Sequence, residues 1–476
     1  MQTTTIPDEI VALTEALARE LSAWSRAHHG ATLAEHEQGV LQLGRRFLGA
    51  ALGAVVRQAQ GLNQPATRRL REACPGCGQR RQPHDPARAR QVLTVCGAVH
   101  LERPYDYCPA CRRGWIPVDE RLGLGRRAAL SVGASGWAAK AGAGLPFRAA
   151  AALLEDLAGV AIGAETVRAH AEGVGRVLAA TRQTMAEQVE AEREPVGPVE
   201  AAPGLLVLQA DGAQLRYIDD WHEVKLGLVA GCQPGEPATA GHPEQAPTLL
   251  EPTYVAARAA AAAFGTLWLA EAAQRGALEV LGWEDADGAQ ATDVRVPALA
   301  VLPEVVVLGD GAPWIWTPRQ RGLRGRPLAA EHFGRRTEIL DWYHASEHLW
   351  MLAKALHGES TPATAAWVER AKTLLWEGGA TPLRRLLDET QAPTAVAAEV
   401  LRLQRGYFTA NASRTNYPAY RARGLPIGSG AVESSAKQLV QARMKRAGMR
   451  WSTDGGQAIL ALTEQLANER PLPAVA

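Results

Sequence analysis

Two short apolar runs that each stop at an Asp-Gly pair constrain the fold of this chain more than any other feature. Residues 305–308 stop at Gly309-Asp310-Gly311, and residues 205–210 stop at Asp211-Gly212. Short β-branched runs predict buried strands, and an acidic residue beside glycines lies where backbone can approach a ligand. We therefore expect Asp211 and Asp310 to converge at one edge of one sheet. Asp-Gly is also a common hairpin turn, and this alternative is preferred for either pair taken alone.

A third acidic residue, Glu433, suits the same site. The turn Gly428-Ser429-Gly430 predicts a helix start, and Glu433 falls in its first turn, where the helix dipole favours a carboxylate. It is the only acidic residue in a basic stretch that contains Arg421, Arg423, Lys437, Arg443, Lys445, Arg446 and Arg450. Metal-dependent phosphoryl transfer requires such a field, because cations hold phosphates while the carboxylate holds metal. A helix with an N-terminal Glu and a solvated basic face is the common alternative.

Length, charge and cysteine use set the broad class. A chain of 476 residues is expected to form two to four domains. A net charge of +1 means that any contact with a polyanion must come from local patches. We see no apolar run of membrane-spanning length and no signal-peptide pattern. The sequence therefore predicts a cytosolic protein without a membrane partner, in which six cysteines serve as metal ligands or free thiols.

Four of these cysteines form two C-x-x-C pairs, Cys74-Pro-Gly-Cys77 and Cys108-Pro-Ala-Cys111. Two such pairs close a tetrahedral Zn²⁺ site, and four sulfurs make it structural. The segment between the pairs predicts a hairpin that turns at Gly97. Cys96 and Cys232 are interpreted as buried small hydrophobes. Several arginines flank the hairpin and suit either phosphate contact or simple solvation: Arg80, Arg81, Arg88, Arg90, Arg103, Arg112 and Arg113.

The pattern of elements predicts an α+β multidomain chain. A helix from Phe147, a glycine-containing turn and a helix from Ala164 have the helix-turn-helix layout, although many helical hairpins bind nothing. Strands near 205–210, 221–229, 254–256, 305–308 and 337–341, with a helix over 264–278, have the ribonuclease-H-like layout of a mixed sheet. The predicted segments are a helical N-terminal region (1–70), a zinc ribbon (71–118), a helical region with the helix-turn-helix (119–189), the first part of a ribonuclease-H-like catalytic core (204–343), a helical insertion (344–423) and the C-terminal core helix with Glu433 (424–470). A Pro- and Glu-rich linker, 190–204, separates the helix-turn-helix region from the first part of the catalytic core.

These motifs together resemble the ISKra family of bacterial insertion-sequence transposases, members of the DDE superfamily. The resemblance covers nearly the whole chain and rests on the paired C-x-x-C ribbon, Asp211-Gly212 followed by 221–225, 309–316, 341–344, 426–433 and 443–451. It implies that Asp211, Asp310 and Glu433 are the DDE triad and bind Mg²⁺ or Mn²⁺. Asp341 and His344 would form a supporting Asp-x-x-His motif.

The resemblance implies a transposase that cuts and joins DNA by two-metal phosphoryl transfer. Its partners would be double-stranded DNA, as transposon ends and target, and further copies of the chain, in a bacterial, nucleoid-associated setting. Candidate DNA-binding residues are Arg168, Lys437, Arg443, Lys445, Arg446 and Arg450. Tryptophans 314, 316, 342 and 451 suit base stacking or, for most, the apolar core. Two alternatives stay open: a transposase-derived DNA-binding protein that no longer cuts, and a ribonuclease-H-like nuclease without strand transfer.

Overall fold

The computed structural model describes residues 8–62, 73–125, 128–190, 204–236, 246–276, 303–316 and 335–475. The chain is a mixed α+β protein, as expected from its pattern. It divides into two compact units, Met1–Val174 with Leu472–Ala476, and Gly175–Pro471. Most of the predicted linker, 191–203, and the end of the helix predicted over 264–278 lie outside the described residues.

The first unit contains two N-terminal helices, a three-stranded sheet and a helical segment. Its elements are α1 (Asp8–Ala27), α2 (Leu33–Ala59), β1 (Gln82–Thr94), β2 (Gly97–Cys108), β3 (Arg113–Trp115), α3 (Pro117–Arg121), α4 (Val132–Gly144), α5 (Phe147–Ala158) and the start of α6 (Ala164–Glu190). The sheet is antiparallel in the order β1-β2-β3. Gly97 turns the β1–β2 hairpin with φ of 113°, a backbone conformation that favours glycine. The predicted N-terminal helices and this hairpin are both confirmed.

Helix α2 has a composition that the sequence analysis did not anticipate. It is long and apolar enough, by length and hydropathy alone, to cross a membrane. The same test is passed by the core helix of a soluble protein and by a signal sequence. In the structure α2 packs against α1 and β2, and Arg57 near its end donates to the His100 carbonyl oxygen at 3.1 Å.

The second unit is built on a five-stranded mixed sheet. Its strands are β4 (Leu205–Arg216), β5 (Trp221–Gln233), β6 (Thr248–Ala257), β7 (Glu304–Gly309) and β8 (Arg335–Leu340), in the order β6-β5-β4-β7-β8. The first three strands pair antiparallel, whereas β7 pairs parallel to both β4 and β8. The predicted mixed sheet is therefore present. Its third strand, predicted near 254–256, begins earlier than expected, at Thr248.

Helices follow and cover this sheet. They are α7 (Ala261–Gln274), α8 (Pro313–Trp316), α9 (Trp342–His357), α10 (Pro362–Gly378), α11 (Ala380–Glu389), α12 (Ala395–Ala410), α13 (Tyr417–Ala422), α14 (Gly430–Ser435), α15 (Ala442–Met444) and α16 (Thr453–Ala467). A π-helical stretch, Ala436–Gln441, joins α14 to α15. The predicted helical insertion, 344–423, corresponds in residue range to α9 through α13.

The side chains of β4 and β7 alternate between two hydrophobic cores, because successive side chains of a strand point to opposite faces of the sheet. Val207 and Leu308 pack with α9, α10, α11 and α12 on one face. Leu206 and Val307 pack with Phe264 and Trp268 of α7 on the other. Both strands are buried on both faces, which explains why they appear in the sequence as continuous apolar runs.

The end of β4 differs from the prediction. The strand does not stop at Asp211-Gly212, because β5 continues to pair with it: Asp211 lies opposite Leu226, and Gly212 lies opposite Lys225. Asp211 is thus inside a long hairpin whose turn comes later, after Arg216. The hairpin-turn alternative for this Asp-Gly pair is wrong for the same reason.

Candidate active site and metal centre

Asp211 and Asp310 occupy matching positions on neighbouring parallel strands. The last paired residues of the β4–β7 ladder are Gln209 and Leu308, and each aspartate follows its residue by two positions. Two residues is one full period of a strand, so both side chains fall on the face that carries Val207 and Leu308. The two carboxylates thus share one face at one end of the sheet.

Local backbone contacts hold each aspartate. The Gly212 N–H donates to Asp211 Oδ1 at 2.7 Å, and the Ala312 N–H donates to Asp310 Oδ1 at 2.8 Å. The residue between Asp310 and Ala312 is Gly311, with φ of 91°. A side-chain Cβ there would lie 2.8 Å from the Tyr407 ring. Only glycine suits both this backbone conformation and this close approach.

Glu433 is brought to the same place by helix α14. Its neighbour Val432 donates its backbone N–H to Gln209 Oε1 at 3.2 Å, and Gln209 Nε2 reaches the Gly428 carbonyl oxygen at 3.5 Å. Gln209 is buried and precedes Asp211 by two residues on the same strand face. The glutamine therefore ties the start of α14 to the strand that bears Asp211.

Asp341 is a buried structural carboxylate beneath this site. It begins α9 and accepts from the backbone N–H groups of Tyr343 at 2.5 Å and His344 at 3.1 Å. Its other oxygen accepts from the Ser429 N–H at 2.5 Å and from the Ser429 hydroxyl. The Asp341-x-x-His344 spacing thus serves as a helix N-cap, which fixes the loop that precedes Glu433.

His344 faces the carboxylates from the first turn of α9. Its Nε2 lies 4.0 Å from Glu433 Oε1, and its Nδ1 lies 3.4 Å from a carboxylate oxygen of Glu347. The side chains of His344 and Glu433 are 30% and 38% exposed, so solvent and a substrate can both reach this pair.

The pKa of Asp211 shows that the neighbouring negative charges act on this carboxyl group. Burial raises this pKa most, and the charges of Glu433 and Asp310 raise it further. The Gly212 N–H and His344 act in the opposite direction and lower it. Among the described residues, only the cysteine cluster brings three or more ligand atoms within 4.8 Å of one another. The three carboxylates therefore interact electrostatically without converging on one point.

The four predicted zinc ligands form that cysteine cluster. The ligand atoms of Cys74, Cys77, Cys108 and Cys111 all lie within 4.8 Å of one another. The Sγ–Sγ distances are 3.8 Å for Cys74–Cys111 and 3.6 Å for Cys77–Cys108. Tetrahedral Zn–S bonds of about 2.3 Å require S–S distances of about 3.8 Å. The geometry is therefore compatible with a structural zinc.

The ionisation of these thiols also favours a cation. The Gly76 and Cys77 N–H groups lower the pKa of Cys74 to about 6. Hydrogen bonds with Cys77 and Cys74 raise the pKa of Cys111 to about 12. One thiolate forms readily, but further negative charge in the same cluster needs a positive charge at its centre.

The basic residues proposed to contact DNA lie in different environments. Lys437, Lys445, Arg446 and Arg450 are exposed. Arg443 is buried; its guanidinium lies 5.0 Å from the Trp451 ring, and burial lowers its pKa to about 10. Arg168 forms ion pairs with Glu165 and Glu172 within α6. Its positive charge is therefore balanced by two neighbours.

Several arginines of the ribbon region are internal instead of solvated. Arg90 and Arg103 both pair with Asp119, at 2.7 and 2.5 Å, and Arg81 stacks over Trp115 at 5.4 Å. Arg80, Arg88, Arg112 and Arg113 are exposed. Any phosphate contact by the ribbon is limited to this second group.

Sequence reasoning missed residues that support the site from a distance along the chain. Gln209 and Ser429 hold α14, and Tyr407 of α12 donates its hydroxyl to the Asp310 carbonyl oxygen at 2.8 Å. The His348 ring stacks on Tyr407 at 3.8 Å. A polar Gln209 within an otherwise apolar strand was the one signal available in the sequence, because a buried polar side chain requires a partner.

Comparison of the chain with models of known protein families found no match. Comparison with curated proteins likewise found none.

Proposed function

We propose that this chain is a metal-dependent phosphoryl-transfer enzyme that acts on DNA, a DDE-type transposase of the kind that the ISKra resemblance implies. The observation that carries the proposal is the electrostatic proximity of three carboxylates: the charges of Glu433 and Asp310 both act on Asp211 and raise its pKa, after burial, the largest cause. Asp211 and Asp310 each lie two residues beyond the last pair of the parallel β4–β7 ladder, and Glu433 lies in a helix whose start Gln209 fastens to β4. The three residues are separated by 99 and 123 positions in the chain, so only the fold brings Asp310 and Glu433 close enough to act on Asp211.

The sheet itself supports a ribonuclease-H-like core. The order β6-β5-β4-β7-β8, with an antiparallel half and a parallel half, agrees with the mixed sheet that the sequence pattern predicted. The switch between the halves lies at β4, the strand that bears Asp211.

The donor set suits a hard divalent cation. Asp211, Asp310 and Glu433 offer only carboxylate oxygens, which Mg²⁺ and Mn²⁺ prefer. Burial and then the charges of Glu433 and Asp310 raise the pKa of Asp211, and the repulsion between the carboxylates is relieved when cations bind. Two bound metal ions would supply activation of the attacking oxygen and stabilisation of the leaving oxygen. The four thiolates of the ribbon take the softer Zn²⁺, so the two metals are separated by ligand chemistry.

The protein's own groups would position DNA. Exposed cations at Lys437, Lys445, Arg446 and Arg450 continue from the helix that carries Glu433 and suit phosphate contact. Their charge is local, in a chain of net charge +1. We further propose that the chain works as a dimer or larger assembly on DNA, because two transposon ends have to be joined, and that it does so in the bacterial cytoplasm.

The proposal is tested by a cleavage and strand-transfer assay with Mg²⁺ on DNA that carries the ends flanking the gene. Asp211→Asn, Asp310→Asn and Glu433→Gln should each abolish cleavage and leave DNA binding intact. Glu377→Gln, an exposed glutamate on α10, is the matched control and should cleave as wild type does. Retained cleavage in a triad variant removes that residue from the site.

The same assay separates the two alternatives. Tight binding of the ends without cleavage by wild type would indicate a DNA-binding descendant of a transposase. Cleavage without any joined product would indicate a nuclease, because water instead of a DNA 3′-hydroxyl would then be the only nucleophile.

A further inference from the structure

A basic cleft with an exposed tryptophan lies in the second unit, beyond the carboxylates. It has a volume of about 440 Å³ and is lined by Arg216, Trp221 and the loop 444–450. Small-molecule and cofactor sites typically have about 300–1,000 Å³. We name it the Trp221 cleft. It includes Lys445, Arg446 and Arg450 of the basic stretch, but neither Arg216 nor Trp221 was singled out from the sequence as a nucleic-acid contact.

The loop that forms one wall of the cleft is held at both ends. Trp451 is buried and exchanges backbone hydrogen bonds with the β4–β5 hairpin: it donates to the Arg216 carbonyl at 3.2 Å and accepts from the Ile218 N–H at 2.9 Å. Its ring N–H donates to the Met444 carbonyl at 3.0 Å. The loop is therefore fixed against the strand pair instead of hanging free.

Trp221 forms the opposite wall. It begins β5 opposite Arg216, and it is 51% exposed. The Lys445 ammonium lies 5.9 Å from its ring centroid, within cation–π range. The indole is thus half in solvent beside a cation, where a flat ligand can reach it. By contrast, Trp316 and Trp451, considered for stacking from sequence, are buried.

The charges around the cleft leave a positive balance. Asp220 pairs with Arg216 at 2.9 Å, and Asp219 lies 3.8 Å from Arg258 and 2.7 Å from His222. Both nearby carboxylates are thus matched by cations or by histidine. Lys445, Arg446 and Arg450 are exposed and carry the remaining charge.

An exposed aromatic face beside several cations has the composition of sites that bind single-stranded nucleic acid, in which bases stack on rings and cations follow the phosphates. We infer that the Trp221 cleft binds an unpaired nucleotide of the DNA substrate, with the base on the Trp221 indole and phosphates on Lys445, Arg446 and Arg450. This inference rests on the proposed function for its substrate, DNA.

The cleft would hold its nucleotide at a distance from the phosphodiester that reacts. Arg216 lies five residues beyond Asp211 on β4, a distance of about 17 Å at about 3.3 Å per residue. Trp221 is therefore a substrate-positioning residue, and its loss should weaken binding without slowing the step at saturating DNA.

The test uses full-length protein and fluorescence anisotropy with labelled single-stranded oligonucleotides, without divalent metal. One probe is oligothymidylate, and the second is an abasic oligomer of the same length, which keeps the phosphates but offers no base. Trp221→Ala should weaken oligothymidylate binding roughly 5- to 150-fold, the effect of losing one stacked base. It should leave binding of the abasic oligomer unchanged, whereas Trp221→Phe should keep most of the affinity.

Charge variants give the complementary result. Lys445→Ala should weaken binding of both probes and reduce the salt dependence by about one phosphate contact. Trp350→Ala and Arg370→Ala, exposed residues on α9 and α10, are matched controls and should bind as wild type does. The inference is overturned if Trp221→Ala binds oligothymidylate normally, or if it loses both probes equally.

Failure of this inference is distinguishable from failure of the proposed function. If the protein binds DNA bases through Trp221 but never cleaves DNA, the proposed transposase activity is contradicted and the role of the Trp221 cleft is supported. If Trp221→Ala cleaves and joins DNA and binds it with wild-type affinity, the transposase activity is kept and the nucleotide-binding role of the cleft is removed.

Discussion

The buried carboxylate of Asp341 accepts both the backbone N–H and the hydroxyl of Ser429, 88 residues later in the chain. Ser429 precedes helix α14, and its hydroxyl oxygen also lies 3.4 Å from Glu433 Oε1. This contact fastens the start of α9 to the start of α14. Through it, one aspartate sets the position of a different acidic residue that is proposed to bind metal.

Replacing Asp341 by Asn should therefore destabilise the protein and disturb the site together. The amide has one acceptor oxygen where the carboxylate has two, so some of the buried N–H donors lose their partner. We expect the free energy of unfolding to fall by about 1.5–3 kcal/mol, measured by urea denaturation. Ser429→Ala removes only the hydroxyl contact and should cost about 1 kcal/mol. Equal stability of Asp341→Asn and wild type would contradict the capping role.

The cysteine cluster should hold one zinc ion per chain. Cys77→Ser or Cys108→Ser should abolish zinc binding, because three sulfurs no longer close the tetrahedron. Elemental analysis of purified protein measures the bound metal. Cys96→Ser changes a cysteine of the same hairpin that lies outside the cluster, and it should retain the full zinc content. Zinc loss in the Cys96 variant would show that the ligand assignment is incorrect.

Burial of Asp211 and repulsion from its neighbouring carboxylates should be visible in the pH dependence of stability. Burial and the neighbouring carboxylates raise the pKa of Asp211 above its ordinary value. A raised folded-state pKa means that stability is present at low pH and is lost as pH rises through that pKa. Asp211→Asn should thus stabilise the metal-free protein at pH 8 and remove this part of the pH dependence, measured as Tm from the ordinary pKa of 3.8 up to pH 8.

Under the proposed function, Mg²⁺ should stabilise wild type, because binding to the folded state alone raises Tm. The Asp211→Asn variant should lose this effect. Asp388→Asn, an exposed aspartate with a side chain 69% accessible, is the control and should keep the Mg²⁺ response. A Mg²⁺ response that survives in Asp211→Asn would show that this carboxylate does not bind the metal.

Glu464 of α16 provides a second pH dependence, away from the carboxylate site. Burial raises its pKa to about 8, although Arg182 and the Ala256 N–H lower it. Its contribution to stability should be full below about pH 4.5, the ordinary value, and should be lost as pH rises toward 8. Glu464→Gln cannot ionise, so wild type should lose on the order of a few kcal/mol relative to this variant between pH 5 and 8.

Denaturant unfolding at several pH values checks this difference. Glu469→Gln changes an exposed glutamate just after the same helix and should follow the wild-type profile. A constant difference between wild type and Glu464→Gln across this range would mean that Glu464 is already charged in the folded protein.

Gly311 should tolerate no side chain. Alanine there would adopt φ of 91° and place its Cβ 2.8 Å from the Tyr407 ring. We expect Gly311→Ala to cost about 1–3 kcal/mol and to weaken Mg²⁺ binding, because Asp310 is the preceding residue. Gly406→Ala, within α12 and with nothing within 4 Å of the added Cβ, should instead stabilise the helix by up to about 1 kcal/mol. Calorimetry of both variants measures whether each substitution lowers or raises the stability of the protein.

Local patterns in the sequence determined the features that depend on near neighbours. The C-x-x-C pairs predicted the sulfur cluster, because two residues is the spacing at which thiolates share one metal. Apolar periodicity predicted α5 and α6 as well as the strands of the mixed sheet, and Gly-Ser-Gly predicted the helix start before Glu433. Each of these depends on spacing within a few residues, which an amino-acid sequence records directly; the two cysteine pairs are then brought together by the β1–β2 hairpin between them.

Long-range pairing decided the rest. β5 continues to pair with β4 beyond Asp211, and the β4–β7 register places Asp211 and Asp310 at matching positions. Burial of Arg443 against Trp451 and exposure of Trp221 beside Lys445 separate residues that look alike in sequence. None of these follows from local propensity, because strand register and the burial of a charge depend on which distant segments pack together.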